Sequence, residues 1–170
     1  MAGSGRFERA WVRGAQAGSA ADLEALFRAH WPRAFRAAYL VTHDAAAAED
    51  IAQEGFLAAV RNLHRFDRRR PFGPWLHRIV VNRAIDWARA RTLRGETVLH
   101  DVAGRDEADL GDAPQLAAAI ARLPPDQRAV IVLRHLLEYT PGEIADLLGL
   151  PRGTVNSRLR RGLDALRETM

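Results

Sequence analysis

Residues 141–161 have the sequence PGEIADLLGLPRGTVNSRLRR, and their pattern is the most specific structural signal in the chain. This sequence contains the amphipathic segment 141–148 and the beginning of a second one, 151–167. Each segment starts with a proline, which favours the first turn of a helix. Ala145 is small where two helices must approach closely, and Gly149 lies where a tight turn needs a positive φ. A valine follows six positions later, where the second helix must bury an apolar side chain. This spacing predicts a helix-turn-helix.

The outward face of the second helix is polar and carries no acid from residue 152 to residue 163. Arg, Asn and Ser side chains can reach base edges in a major groove, and a threonine near a helix N-terminus can hold a phosphate. A helical hairpin with merely solvated arginines is the alternative, but it explains neither the turn nor the absence of acids. We therefore predict DNA contacts by Arg152, Thr154, Asn156, Ser157, Arg158, Arg160 and Arg161.

Upstream of this motif, segment 96–114 lacks helical periodicity and is rich in Asp and Gly, so it is predicted to be a flexible linker. It separates residues 1–95 from residues 115–170. Both parts show apolar residues at helical spacing and almost no strand alternation, which predicts an all-α protein of two small helical domains. Pro32 should kink or split the first long helix, and Asp44 is a suitable N-cap for the next one.

The charge distribution favours a polyanionic partner. All 25 basic residues are arginine, and the formal net charge is +4. Residues 1–95 carry 16 arginines and 9 acids, the linker carries 1 and 6, and residues 115–170 carry 8 and 6. Two basic blocks therefore flank an acidic segment, which suits nucleic acid, although two solvated domains would show the same pattern.

Several function classes are excluded or disfavoured by composition. The chain has no cysteine, so a disulfide framework, a thiolate metal site and a Cys nucleophile are excluded. The six histidines lack metal-binding spacing, and no phosphate-binding glycine pattern occurs. We therefore expect no enzymatic activity, catalytic residue, metal, cofactor or small-molecule substrate. Without a long apolar run or a leader, we expect a cytoplasmic protein with no membrane insertion.

Four motifs, in this order, resemble the extracytoplasmic-function (group 4) sigma factors of bacterial RNA polymerase. They are AEDIAQEGF at 48–56, PWLHRIVVNRAID at 74–86, LPPDQR at 123–128, and the helix-turn-helix at 143–159. The resemblance extends from about residue 21 to residue 167, without the linker. It implies a sigma region 2 domain in residues 1–95 and a sigma region 4 domain in residues 115–170.

The resemblance also implies partners and site residues. Region 2 in the family binds the clamp helices of the polymerase β′ subunit and opens the minus-ten element, and region 4 binds the minus-thirty-five element and the β flap. Asp50, Gln53 and Glu54 match the helix that docks on the clamp, while Phe56 beside them is expected in the core. The residues matching the minus-ten surface, which needs a cationic track and a pocket for an unstacked base, are Arg68, Arg69, Arg70, Asn82, Arg83, Trp87, Arg89 and Arg91.

The resemblance leaves the promoter sequence and the regulation open. Asn156 stands where many members have Lys or Arg, and Trp87 where a charged residue is common. No sensory extension follows the recognition helix, so we expect inhibition by an anti-sigma factor. The main alternative is a sigma-like mimic that sequesters an anti-sigma factor without initiating transcription, but a mimic needs neither the arginine-lined loop nor the basic helix. A helix-turn-helix repressor would not explain residues 1–95.

Overall fold

The computed structural model describes the backbone of residues 2–96 and 114–169, with side chains from residues 5–96 and 115–169. Every regular element in these ranges is helical, which confirms the predicted all-α class. Most of the predicted linker, residues 97–113, lies outside the described residues. A 3-10 turn covers Leu63–Arg65, and the α-helices are α1 (Ala2–Gln16), α2 (Ala20–Thr42), α3 (Ala45–Asn62), α4 (Phe72–Leu93), α5 (Pro114–Ala121), α6 (Pro125–His135), α7 (Pro141–Leu148) and α8 (Arg152–Thr169).

Helices α2, α3 and α4 pack together as the core of the N-terminal unit. Asp44 begins α3, because its carboxylate accepts a hydrogen bond of 2.9 Å from the Ala47 amide, as predicted for an N-cap. Gly55 lets α3 approach α4, since a Cβ there would lie 2.6 Å from Val80 Cγ2. Phe56 is buried in this core, as expected.

Pro32 was expected to kink or split the first long helix, and helix α2 continues through it, so the proline does not split the helix. Pro removes one backbone hydrogen bond, at a cost of about 3 kcal/mol in an isolated helix. Here the helix buries side chains on both sides of the proline, including Leu26 and Ala34. Burial of this kind contributes about 25 cal/mol per Å², and over several side chains it outweighs the lost bond.

Helix α1 was not predicted from the sequence. It packs Val12 into the core beside α2, and its last residue ties it to the following segment. The Gln16 amide donates to the carbonyl oxygens of Leu63 and Phe66 at 2.8 and 3.0 Å. These contacts fix α1 beside the loop that precedes α4.

The C-terminal unit contains the predicted helix-turn-helix. Thr140 and Glu143 form a reciprocal capping box at the start of α7. Gly149 ends the helix with φ of 65°, which confirms the left-handed turn. Val155 of α8 is fully buried, so the second helix packs on the first as the spacing required.

The two units share one continuous apolar core, and Arg128 of α6 joins them. Arg128 is only 4% exposed, and its guanidinium donates to the carbonyl of Val41 in α2 and, at 2.7 and 2.9 Å, to those of Ala121 and Leu123. Carbonyls near helix C-termini lack intrahelical donors, so one cation satisfies the ends of α2 and α5 together. Burial lowers the pKa of Arg128 to about 10, which leaves it charged at neutral pH.

Candidate nucleic-acid and polymerase surfaces

The outward face of α8 presents most of the predicted DNA-contacting residues to solvent. Val155 and Leu159 turn the opposite face into the core. The exposed members are Arg152, Asn156, Arg160 and Arg161, and the half-buried members are Thr154, Ser157 and Arg158. In the described part of the chain, none of the four exposed residues forms an ion pair or side-chain hydrogen bond. Their donors are therefore available to a ligand.

The N-terminus of α8 carries the partial positive charge of the helix dipole and lies at one end of this face. The Thr154 and Val155 amides bond to Pro151 as the first turn closes, and the first turn contains no acid. The unsatisfied amides and the helix dipole favour an anion there. A phosphate placed at this end would orient the exposed side chains toward the adjacent groove.

The loop before α4 carries the three predicted arginines, all exposed. Arg69 bonds to Asp67 at 3.0 Å, and this bond holds the pKa of the Asp67 carboxyl below its usual range. Within the described residues, Arg68 and Arg70 form no ion pair. Two of the three loop cations are therefore unneutralised.

The predicted minus-ten residues on α4 form more contacts within the protein than the loop arginines do. Asn82 donates to the Arg78 carbonyl of its own helix at 2.8 Å, which leaves its amide oxygen as an acceptor, and Arg83 is exposed. Arg91 lies over the Trp87 ring at 5.1 Å and bonds to Asp44 at 2.9 Å. In this arrangement Arg91 fastens α4 to the start of α3.

Asp126, in the first turn of α6, connects the two candidate DNA-binding helices. Its Oδ1 accepts from Arg89 of α4 at 2.5 Å, and its Oδ2 lies 3.4 Å from Arg158 of α8. Both arginines were predicted to contact DNA. One carboxylate in the C-terminal unit therefore neutralises cations of both surfaces, a link that sequence analysis missed because the partners lie far apart along the chain.

A third surface lies on α3, where Asp50, Gln53 and Glu54 are all exposed. The spacing i, i+3, i+4 places them on one face. No described cation pairs with either carboxylate. The face is therefore acidic and open, and Ile51 and Phe56 bury the other side of the helix.

The described residues contain no cluster of potential metal ligands and no helix capable of crossing a membrane. His77 is buried in α4 and shares a hydrogen bond of 2.7 Å with the Tyr139 hydroxyl of the C-terminal unit. Burial lowers the pKa of His77 to about 4, with smaller contributions from His30 and Arg33. This histidine is neutral at pH 7 and forms part of the contact between units.

Each of the two units matches a known protein family. Residues 26–94 match the family model of sigma-70 region 2, and residues 114–166 match that of sigma-70 region 4. The chain is 35% identical over 167 residues to the ECF RNA polymerase sigma factor SigL of Mycobacterium tuberculosis, with 94% of each protein covered.

Two solved structures have a similar fold. CnrH, in complex with the cytosolic domain of CnrY, is 27% identical, with 95% of this chain and 96% of CnrH covered and a TM-score of 0.72. The sigma factor RpoE of Bartonella quintana, in complex with the anti-sigma factor NepR, is 22% identical, with 87% and 96% covered and a TM-score of 0.70. The second likeness concerns the fold alone.

Proposed function

This chain belongs to the extracytoplasmic-function sigma factors, and from that premise we propose which of its surfaces carries each step of transcription initiation. A sigma factor of this family binds RNA polymerase core and directs it to specific promoters. The family consists of initiation factors and not of enzymes. The domain assignment we propose is region 2 in residues 1–95 and region 4 in residues 115–170, acting in the cytoplasm with the polymerase.

Helix α8 is the proposed reader of the minus-thirty-five element. Its exposed arginines and Asn156 supply donors to base edges, and the positive start of the helix suits a phosphate. The observation that carries this assignment is the exposed group of Arg152, Asn156, Arg160 and Arg161, which has no ion pair among the described residues and lies opposite a buried Val155. Each good base contact contributes about 1–3 kcal/mol of discrimination.

The loop before α4 and the outer face of α4 are the proposed surface for melted minus-ten DNA. Arg68 and Arg70 offer unneutralised charge to a single-stranded backbone, and the free acceptor of Asn82 suits an unpaired base edge. Trp87 is half-buried, so one part of its ring packs against the core and another part is accessible. Arg89 reaches DNA only after it leaves Asp126.

The acidic face of α3 is the proposed docking site for the β′ clamp helices, with Asp50, Gln53 and Glu54 as contacts. Its open carboxylates support this assignment, because an exposed acidic face without internal partners suits a basic docking surface. Region 4 is proposed to bind the β flap.

Regulation by an anti-sigma factor is also part of the proposal. RpoE, which shares this fold, was solved with an anti-sigma factor, and CnrH was solved with the cytosolic domain of CnrY. In this chain the two units already contact each other through Arg128 and Asp126. A partner that stabilises this arrangement would keep Arg89 away from DNA.

The decisive experiment is transcription in vitro with core polymerase and the full chain on a genomic library. We expect promoter-specific transcripts that core alone does not produce. The variant Arg161→Ala should lower the affinity of the holoenzyme for its promoters by about 5- to 150-fold, the equivalent of 1–3 kcal/mol. Its matched control is Arg167→Ala on the same helix, since Arg167 is 78% exposed and faces Asp164.

Core binding should be equal in the wild type and both variants. Equal loss of promoter and core binding by Arg161→Ala would indicate misfolding of region 4. A complete absence of transcripts above core alone, with core binding intact, would support the sigma-like mimic and refute the proposed function.

A further inference from the structure

An open cleft of about 590 Å³ lies between α1 and the loop before α4, and its lining is almost entirely cationic. Gly5, Arg6, Arg9 and Arg13 of α1 form one side, and Arg68 forms the other. The three arginines of α1 are spaced i, i+3, i+7, which puts them on one helix face over about 10 Å. All four arginines are exposed. The cleft is a continuous track and not a point site.

The cations of the cleft have no partner in the described part of the protein. None of the four arginines forms an ion pair there, whereas Arg28, Arg89 and Arg91 do. Charges of one sign converging on a cleft raise the local concentration of anions. The feature therefore indicates an anionic ligand, and a row of guanidinium groups is well suited to successive phosphates.

The cleft is held in place by contacts at three points of α1. Glu8 bonds to His30 of α2 at 2.8 Å and accepts backbone hydrogen bonds at Phe72 and Gly73, the start of α4. The bond to His30, with the help of these backbone bonds, lowers the pKa of the Glu8 carboxyl. Val12 is buried beside α2, and Gln16 bonds to the carbonyls immediately before the loop. The arginines of α1 are therefore fixed relative to Arg68.

We infer that this cleft binds the phosphate backbone of single-stranded promoter DNA and extends the minus-ten surface onto α1. The inference rests on the proposed sigma function. Arg68 belongs both to the cleft and to the loop proposed for melted DNA, so a strand held at the loop continues directly into the cleft. The length of the track favours an extended strand over a compact anion, and the unneutralised arginines favour phosphate over a surface that needs apolar contacts.

The test compares two double variants with the same loss of charge. Arg9→Ser with Arg13→Ser alters the cleft, and Arg28→Ser with Arg167→Ser alters two exposed arginines elsewhere. Each is assembled with core polymerase. Holoenzyme affinity is measured from 50 to 200 mM salt on a forked promoter fragment with a single-stranded non-template minus-ten region, and on a fully duplex minus-thirty-five fragment.

Two single-strand phosphate contacts contribute about 1.4 to the slope of log affinity against log salt. On the forked fragment, the slope for the cleft variant should be smaller in magnitude by about 1.4. Between 50 and 200 mM salt, the factor by which its affinity decreases should therefore be about seven times smaller than the factor for the wild type. It should also bind the forked fragment more weakly at the lowest salt. Binding of the duplex fragment and of core should match the control variant.

Three results would overturn the inference. An unchanged slope on the forked fragment would mean that α1 does not contact phosphate. Equal losses on both fragments would indicate a general charge effect, and a loss of core affinity would place the cleft in a protein interface. A wild-type holoenzyme that binds neither fragment would refute the proposed sigma function itself.

Discussion

Helices α4 and α8 both carry arginines on faces predicted to contact DNA, yet the structure uses these arginines differently. On α8, Arg152, Arg160 and Arg161 are exposed and have no acidic partner among the described residues. On α4, Arg89 and Arg91 bond to Asp126 and Asp44, which lie 37 and 47 positions away. The face of α8 is ready to bind, whereas part of the face of α4 becomes available only when the two units separate.

We expect the largest effect from removing Arg128, the buried cation that joins the two units, because the units must stay together for Asp126 to hold Arg89. Arg128→Met keeps the apolar stem but leaves the carbonyls of Val41, Ala121 and Leu123 without a donor. A buried carbonyl left without its donor costs about 1–3 kcal/mol, so with three such carbonyls we expect the free energy of unfolding to fall by about 4 kcal/mol. Denaturant unfolding followed by circular dichroism measures this change.

The exposed Arg122 provides the control, since Arg122→Met lies in the same unit. It should change the unfolding free energy by less than about 0.5 kcal/mol. Similar small changes in both variants would show that Arg128 does not hold the units together.

Acid should weaken the contact between the two units through His77, which bonds to Tyr139. Its pKa is about 4 in the folded protein and 6.5 when unfolded, so the unfolded chain takes up a proton first as the pH falls. Stability should therefore decrease from about pH 6.5 to about pH 4, by about 3 kcal/mol in total, and then level off with respect to this group. His30 and Arg33 oppose protonation of His77, and Glu8 favours it.

Thermal unfolding across this pH range tests the role of His77. His77→Gln should remove most of the decrease attributed to it, because glutamine does not titrate. His135→Gln, at an exposed position, should retain the wild-type pH dependence. If both variants lost stability in acid as the wild type does, another group would be responsible.

The smallest expected effect comes from freeing both helices of their shared carboxylate. Asp126→Asn should release Arg89 and Arg158 and increase the affinity of the free chain for promoter DNA by about two- to fivefold, since partly exposed ion pairs contribute less than about 1 kcal/mol. Fluorescence anisotropy measures the change on two fragments, a duplex minus-thirty-five fragment for α8 and a single-stranded non-template minus-ten fragment for α4. We expect the smaller gain on the duplex fragment, because α8 already presents Arg152, Arg160 and Arg161 to solvent, whereas α4 regains Arg89.

Asp146→Asn removes the same charge from an exposed position of α7 and is the matched control. A gain of equal size in both variants would reflect net charge alone. A gain confined to Asp126→Asn would identify the carboxylate as a brake on DNA binding.

Local features were predictable from the sequence. The turn at Gly149 and the cap at Asp44 depend on neighbouring residues, so the spacing alone predicted them correctly. Burial of Phe56 and Val155 followed from helical periodicity. The outward face of α8 was predictable for the same reason, because the apolar periodicity of a single helix determines which of its side chains face outward.

The features that escaped prediction depend on distant partners. Helix α1 contains an arginine-rich face and is fixed by Gln16 and Glu8, whose partners lie in later elements. Pro32 stays within a helix because packing outweighs the local penalty. The engagement of Arg89 by Asp126 leaves no pattern in the sequence. The proposed contacts on α4 are therefore the part of the site that depends most on packing between distant segments.

The bonds of Arg128 also bear on how the molecule is made. Val41 leaves the ribosome 87 residues before Arg128. At about 5–20 residues per second, that separation corresponds to roughly 4–17 s of synthesis. During this interval the first four helices can assemble, while the side of α2 that receives α6 faces solvent and the Val41 carbonyl lacks its donor. A nascent chain that stalled in this interval would expose the apolar surface of α2 that α6 covers in the folded protein.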